Sequence, residues 1–136
     1  MLEYYPQHSY SRDKTTAYAF DRVPDVVIVS LGTNDNDFPD IATEAAMKRD
    51  TKLLVQMVRE SYGTNVPIVW VYDFMAEGRY PWIMAAMNEM GGEAAGLYMF
   101  HGVRNNAGGV YHPDAAGHKA NATALVDYIR EKHFLK

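Results

Sequence analysis

The feature of this sequence that most constrains its fold is a regular alternation of short apolar runs with segments of helical periodicity. Residues 25–31 read Asp-Val-Val-Ile-Val-Ser-Leu, a β-branched apolar run that predicts a strand buried on both faces. Residues 66–72 and 96–100 predict two more strands. A helical segment follows each strand, and this β-α-β-α-β-α order predicts an α/β fold with helices covering a mostly parallel sheet.

The first two helices are predicted at residues 41–61 and 81–90. Gly63 ends the first of them, and a Gly-Gly pair at 91–92 ends the second. In the first helix, apolar or small residues recur at helical spacing and predict its core-facing stripe. This stripe consists of Met47, Thr51, Leu54, Met57 and Val58.

The last helix is predicted at residues 114–133. Asp114 stands where an N-cap is expected, because its carboxylate can accept a hydrogen bond from a free backbone N–H of the first turn. The apolar face of this helix is predicted from residues at i, i+3, i+4 and i+7. They are Ala122, Leu125, Val126 and Ile129.

Length and composition indicate a single globular domain. The chain has 136 residues, of which 48% are hydrophobic and 22% are charged, without a low-complexity run. Residues 1–22 show neither helical nor strand periodicity and are predicted to be a loop or extension. We therefore expect one core, formed by the residues that follow this extension.

Charge and hydropathy exclude several classes of partner. The net charge of -4 and the pI near 5.7 argue against nucleic-acid binding, which needs a basic patch. No apolar stretch approaches the roughly 20 residues that cross a bilayer, and the first residues lack the pattern of a signal peptide, so no membrane partner is expected. The absence of cysteine excludes disulfides and thiolate chemistry.

The first candidate site block is Gly32-Thr33-Asn34-Asp35, which directly follows the first predicted strand. Ligands of open parallel sheets bind beyond the carboxyl ends of the strands. The Asn34 amide at this position is suited to donate a hydrogen bond to an oxyanion. The alternative is that Asn34 and Asp35 only shape a turn, which both residue types favour.

The second block is His112-Pro113-Asp114-Ala115-Ala116-Gly117-His118, at the entry to the last helix. A loop histidine such as His112 is a natural general base, although an ordinary exposed or capping role is the alternative. His118 lies one turn into the helix, where a packed or hydrogen-bonded structural role is expected. The spacing matches no zinc pattern, so neither a metal nor another cofactor is expected.

Aromatic side chains near the predicted loop ends are candidates for a sugar-binding cleft. Tyr72, Tyr80 and Trp82 lie close to the loop that follows the second strand. Trp70, inside the apolar run itself, is predicted to belong to the core.

Taken together, the two blocks resemble those of a known enzyme superfamily. Residues 24–35, followed about eighty residues later by His112-Pro113-Asp114-x-x-Gly117-His118, are similar to the Gly-x-Asn-Asp and His-Pro blocks of SGNH (GDSL-like) hydrolases. The string is most similar to carbohydrate esterase family 2, whose members remove acetyl groups from plant polysaccharides. The resemblance extends from about Ala17 to the end of the chain.

The resemblance implies a fold, a mechanism and a substrate. The fold is a flavodoxin-like three-layer α/β/α sandwich, here partial, and the substrate is an acetylated carbohydrate. Asn34 is implied as an oxyanion-hole donor, in a turn with Gly32 and Asp35, and His112 as the base that activates a serine for acyl transfer. Secretion of the parent enzyme is implied on the same basis.

The sequence departs from this pattern at the nucleophile. The Gly-Asp-Ser block of the family is absent, as is the glycine block before Pro24, and no upstream serine has the strand-turn-helix setting of a nucleophile elbow. The usual acid three residues before the histidine is replaced by Gly109, so a backbone carbonyl, that of Tyr111, is the candidate for orienting His112. The chain is thus predicted to be the C-terminal part of an esterase, inactive alone. The alternative is a non-catalytic sugar-binding or assembly module.

Loss of the first strands has a structural consequence. In the strand order 2-1-3-4-5 implied by the resemblance, residues 26–31 form the third strand, which becomes an edge when strands one and two are missing. An apolar edge strand is a template for pairing with another chain. We therefore expect a homo-oligomer, or pairing of residues 26–31 with the missing N-terminal half.

Overall fold

The computed structural model describes residues 7–9, 13–37, 40, 42–72, 78–109 and 112–135. Two short 3-10 turns, Asn34–Asp37 and Gly92–Ala95, accompany the strands and helices of this part of the chain. The strands and helices are, in order, β1 (Gln7–Ser9), β2 (Asp13–Ala17), β3 (Val27–Val29), α1 (Glu44–Tyr62), β4 (Ile68–Tyr72), α2 (Tyr80–Glu89), β5 (Leu97–His101) and α3 (Ala115–Glu131).

The centre of the fold is a parallel sheet of order β3-β4-β5. Val27 lies opposite Ile68 in the β3–β4 pair, and Ile68 lies opposite Leu97 in the β4–β5 pair. All five residues of β4 are buried, because this strand has neighbours on both sides and helices on both faces. The predicted α/β class with a parallel sheet is confirmed.

Two apolar clusters sandwich the sheet and define three layers. On one face, α1 and α2 pack against alternate residues of β4, namely Ile68, Trp70 and Tyr72. On the other face, Ile129 of α3 packs with Val69 and with residues of β5 and the C-terminal segment. This helix-sheet-helix arrangement is that of a partial flavodoxin-like fold.

Predicted helix ends agree closely with the structure. The carboxylate of Asp114 accepts a hydrogen bond from the Gly117 N–H at 2.7 Å, which confirms Asp114 as the N-cap of α3. At the other end of α1, Gly63 has a φ of 88° and donates its N–H to the Arg59 carbonyl at 2.8 Å. Glycine adopts this backbone conformation without the strain that a side chain would introduce.

The prediction that residues 25–31 form a strand buried on both faces is wrong. The strand is shorter, Val27–Val29, and Ile28 is 47% exposed whereas Val29 is 6% exposed. Among the described strands β3 pairs with β4 alone, so only one of its flanks is covered. Burial on both faces requires a neighbouring strand and helix that the described residues do not provide.

The predicted apolar face of α3 is only partly correct. Ile129 is buried, but Ala122 is exposed and Val126 is 44% exposed. The predicted Leu125 packs on the cluster, and so do Ala124 and Tyr128, which were not predicted. The face that α3 turns towards the sheet is therefore partly rotated from the predicted one.

Residues 1–22 were expected to be a loop or extension, and the described part of them contains two short strands. β1 and β2 form an antiparallel pair in which Gln7 lies opposite Ala17 and Ser9 lies opposite Asp13. Short polar strands are held by backbone hydrogen bonds, so they lack the alternating apolar pattern by which a strand is recognised in a sequence.

Candidate active site

Both candidate blocks follow strands whose carboxyl ends meet at one edge of the sheet. The turn that begins at Gly32 follows β3, and the loop that runs through His112 connects β5 to α3. Since β3, β4 and β5 are parallel, this edge is the place where an open sheet binds ligands. We call it the carboxyl pole.

The block after β3 forms a compact turn, residues 32–35, which we call the oxyanion turn after the role that the sequence resemblance implies for Asn34. The Asp35 N–H donates to the Gly32 carbonyl at 3.3 Å, and Gly32 has a φ of 105°. The side chain of Asn34 is exposed at the start of the 3-10 turn. The two interpretations of this block are therefore compatible, since the block shapes a turn and also presents the Asn34 amide to solvent.

Two side chains of β4 hold the backbone at the start of this turn. The Trp70 Nε1–H donates to the Leu31 carbonyl, and the Tyr72 hydroxyl donates to the Gly32 carbonyl, both at 3.0 Å. Trp70 is 3% exposed, as expected for a core residue. Sequence periodicity identified both aromatic residues but not these contacts, because they join positions 39 and 40 residues apart.

Tyr72 does not line a cleft, contrary to prediction. It is 0% exposed, and its ring contacts the core beneath the oxyanion turn. Its hydroxyl also accepts a long hydrogen bond, 3.4 Å, from the Arg79 backbone N–H. A side chain near the end of the central strand is covered by helices and turns on every side, which explains its burial.

Tyr80 and Trp82, the other two cleft candidates, lie half-buried at the start of α2 on the carboxyl pole. The Tyr80 ring lies 3.9 Å from the His101 ring, and the Arg79 guanidinium lies 4.6 Å from the Trp82 ring. His101, the last residue of β5, was missed by the sequence analysis. The sequence signal that could have identified His101 is a polar residue at the end of an apolar strand.

The loop that carries His112 is closed by backbone hydrogen bonds. The Gly108 N–H donates to the His112 carbonyl at 2.9 Å, and the His112 N–H donates to the Gly109 carbonyl at 3.3 Å. The His112 side chain is exposed, and the following Pro113 is buried. The loop therefore anchors its proline and presents its imidazole at the surface.

Two asparagines that the sequence analysis did not select tie this loop to α3. Asn121 bonds both backbone groups of Val103, accepting from its N–H at 2.7 Å and donating to its carbonyl at 2.9 Å. Asn105 donates to the Asp114 carboxylate at 3.3 Å and accepts from the Ala107 N–H at 2.9 Å. The His112 loop is thus fixed at both ends relative to the first turns of the helix.

Other candidates of the second block are placed differently from expectation. His118 is exposed on α3 rather than packed, because the face of the first turn that meets the loop belongs to Gly117, where a Cβ would lie 2.6 Å from Asn105. The carbonyl of Tyr111 lies outside the described residues, so its proposed role in orienting His112 stays a prediction. Within the described ranges, no three histidine or carboxylate side chains are grouped to hold a metal ion.

Comparison with known proteins identifies a similar fold. The structure resembles that of an acetyl xylan esterase, Est2A, from the rumen bacterium Butyrivibrio proteoclasticus, with a TM-score of 0.75, 21% sequence identity and 91% of this chain covered. The chain spans 41% of the length of Est2A. No protein-family model and no curated protein matches the sequence. In the described residues, no helix is long and apolar enough to cross a membrane.

Proposed function

We propose that this chain supplies the oxyanion donor and the general base of an SGNH-type serine esterase that deacetylates carbohydrate. One observation carries the proposal: two loops at one pole of an acetyl-xylan-esterase-like sheet each present an exposed side chain suited to acyl transfer. These side chains are the amide of Asn34 and the imidazole of His112. Fold similarity alone does not assign a function; the chemistry of these two side chains and their settings supports the assignment.

The proposed chemistry divides between the two residues. The serine oxygen attacks the acetyl carbonyl while His112 takes the serine proton, and the Asn34 amide donates to the carbonyl oxygen as it becomes negative. His112 then gives the proton to the leaving sugar oxygen, which departs as a hydroxyl and leaves an acetyl-enzyme. Water attacks the acetyl carbon while the same imidazole takes its proton, and His112 returns that proton to the serine oxygen as acetate leaves. In this proposal the serine and a second oxyanion donor come from outside the chain, so the chain alone is inactive.

The open edge of β3 is the proposed place where the rest of the enzyme joins. Ile28 is 47% exposed, and β3 has one partner strand among those described. An edge strand carries unpaired backbone groups that favour addition of another strand. We propose that a strand of the N-terminal half pairs there, or a second copy of this chain when that half is absent.

Ester hydrolysis tests the catalytic proposal. The chain is assayed on 4-nitrophenyl acetate and acetylated xylooligosaccharides, alone and with the coding sequence upstream of Met1 restored. We expect activity only in the restored enzyme. In that enzyme Asn34→Ala should lower kcat by about 10²–10³-fold, and His112→Ala by about 10³-fold or more. His118→Ala, an exposed histidine of the same block, is the matched control and should leave the rate unchanged.

Two results would contradict the proposal. Unchanged hydrolysis by His112→Ala would show that His112 is not the general base. An inactive restored enzyme would show that the protein is not an esterase. Activity of the 136-residue chain alone would show that a serine within it is the nucleophile. Sugar binding without hydrolysis would favour the non-catalytic module, for which the half-buried aromatic rings of Tyr80 and Trp82 at the carboxyl pole are the supporting observation.

The edge proposal has a separate test. The molar mass of the chain is measured by sedimentation over a range of concentrations, and we expect association that Ile28→Lys weakens. Leu53→Lys is the matched control, because Leu53 on α1 is 42% exposed, close to the 47% of Ile28. A monomer at every concentration that also fails to bind the N-terminal half would refute pairing at β3.

A further inference from the structure

We infer that Trp70 and Tyr72 are positioning residues that hold the oxyanion turn in the geometry which the Asn34 amide needs. The inference rests on the proposed function, since it assigns a purpose to contacts beneath Asn34. It goes beyond that function because it attributes the position of the Asn34 amide to two buried side chains of the central strand.

The register of the sheet explains why these two residues reach the turn. The β3–β4 ladder ends where Val29 lies opposite Trp70. Leu31 and Gly32 follow beyond this ladder, and their carbonyls accept hydrogen bonds from the side chains of Trp70 and Tyr72 at 3.0 Å each. Residues two apart in a strand point to the same face. Beyond the last backbone pair of β3, the side chains of Trp70 and Tyr72 therefore hold the chain by hydrogen bonds, as backbone pairing holds β3 itself.

The Gly32 carbonyl accepts a hydrogen bond from the core and another from within the turn. It accepts from the Tyr72 hydroxyl at 3.0 Å and from the Asp35 N–H at 3.3 Å. The first bond links the turn to the core, and the second closes the turn around Asn34. Without the Tyr72 hydroxyl, the longer bond to Asp35 would hold this carbonyl without support from β4.

Because the two donor side chains are buried, their hydrogen bonds favour one conformation of the turn. Trp70 is 3% exposed and Tyr72 is 0% exposed, and a buried polar group that loses its partner is strongly disfavoured. The turn also lies directly on the Tyr72 ring, since a Cβ on Gly32 would be 3.1 Å from Tyr72 Cε2. Alternative conformations of the turn would leave the Trp70 Nε1–H and the Tyr72 hydroxyl, which belong to buried side chains, without these acceptors, which favours one conformation of the turn.

The same hydroxyl couples two loops of the carboxyl pole. The Arg79 backbone N–H donates to the Tyr72 hydroxyl at 3.4 Å, just before α2 begins at Tyr80. Tyr72 thus connects the oxyanion turn to the segment that carries the half-buried rings of Tyr80 and Trp82. An oxyanion donor must be placed before the reaction to be effective, because its contribution depends on avoiding reorganisation.

Tyr72→Phe tests the inference, because it keeps the ring and removes only the hydroxyl. Tyr62→Phe is the matched control: Tyr62 packs partly buried against the same core cluster, and its hydroxyl bonds none of the described residues. In the 136-residue chain, ¹⁵N relaxation should show increased mobility at residues 32–35 in Tyr72→Phe and not in Tyr62→Phe. Trp70→Phe, which removes the donor to Leu31, should act in the same direction.

A kinetic arm uses the restored enzyme. We expect Tyr72→Phe to lower kcat by about tenfold, the effect of about 1.4 kcal/mol on the barrier, with KM changed less than about twofold. A uniform stability loss would not produce this split between kcat and KM. The pH profile should keep its shape, because the base is untouched.

The two arms separate the possible failures. Unchanged mobility at residues 32–35 in Tyr72→Phe overturns the inference, whatever the activity. Increased mobility with an unchanged kcat also overturns it, since the turn would then not position a catalytic donor. An inactive restored enzyme overturns the proposed function instead, and the mobility of the turn still shows whether Tyr72 supports it.

Discussion

Replacing Gly32 with alanine should destabilise this protein through both backbone strain and overpacking. Gly32 has a φ of 105°, a conformation that L side chains rarely adopt. An added Cβ would lie 3.0 Å from Ile83 Cδ1 and 3.1 Å from Tyr72 Cε2. Both neighbours are 0% exposed, so neither can move aside without disturbing the core.

The magnitude has two parts, and a second glycine separates them. Backbone strain at such a φ costs about 1–3 kcal/mol, and overpacking of a buried site adds about 1–3 kcal/mol. Gly63 has a φ of 88°, but nothing lies within 4 Å of its Cβ position. Gly63→Ala should therefore show the strain alone. The effect of alanine on the unfolded chain is the same in both variants and cancels in their difference.

Urea unfolding followed by tryptophan fluorescence, from the buried Trp70 and the half-buried Trp82, measures both variants. We expect Gly32→Ala to lower the free energy of unfolding by about 1–3 kcal/mol more than Gly63→Ala does. If the two losses agree within about 0.5 kcal/mol, the oxyanion turn is not pressed against the Tyr72 ring, and the packing argument for its position is refuted.

Three further predictions concern the rest of the fold. Asp114→Ala removes the cap of α3 and should cost about 1 kcal/mol in urea unfolding, whereas the exposed Asp127→Ala on the same helix should cost less than about 0.5 kcal/mol. The Arg59 guanidinium donates to three backbone carbonyls, so Arg59→Lys should cost about 2 kcal/mol; an unchanged urea midpoint would contradict this. Hydrogen bonding, first from Lys52, lowers the pKa of the Glu89 carboxyl below its ordinary value of 4.5, so its stabilisation is present above that pH and lost as the pH falls through the folded pKa. Glu89→Gln should flatten this acid-side decline in stability at low salt, and an unchanged slope would refute the assignment.

The His112 loop shows how a site can be located from the sequence without its support being visible. The block was found because a histidine precedes a helix whose cap, Asp114, obeys a local rule. The asparagines that fix the loop follow no such rule: Asn121 bonds Val103 across 18 residues, and Asn105 bonds Asp114 across nine. Their role depends on where the loop folds back onto α3.

The sequence by itself determined the features that depend on neighbouring residues. Periodicity predicted the three strands of the parallel sheet and the three helices that cover it. Gly63 and Asp114 predicted helix ends. The positions of Asn34 and His112 after strands predicted that both lie at the carboxyl pole. These follow from local geometry, in which a side chain's direction repeats with the period of its own helix or strand.

Only the tertiary structure decided which side chains support the site and which surfaces are left open. Tyr72 was predicted at a cleft and lies in the core, and Ile28 was predicted in the core and is 47% exposed. Both outcomes depend on strand order and register, which bring Trp70 and Tyr72 to carbonyls about 40 residues away. Periodicity records the direction of a side chain relative to its own strand, but not which strand or turn lies opposite.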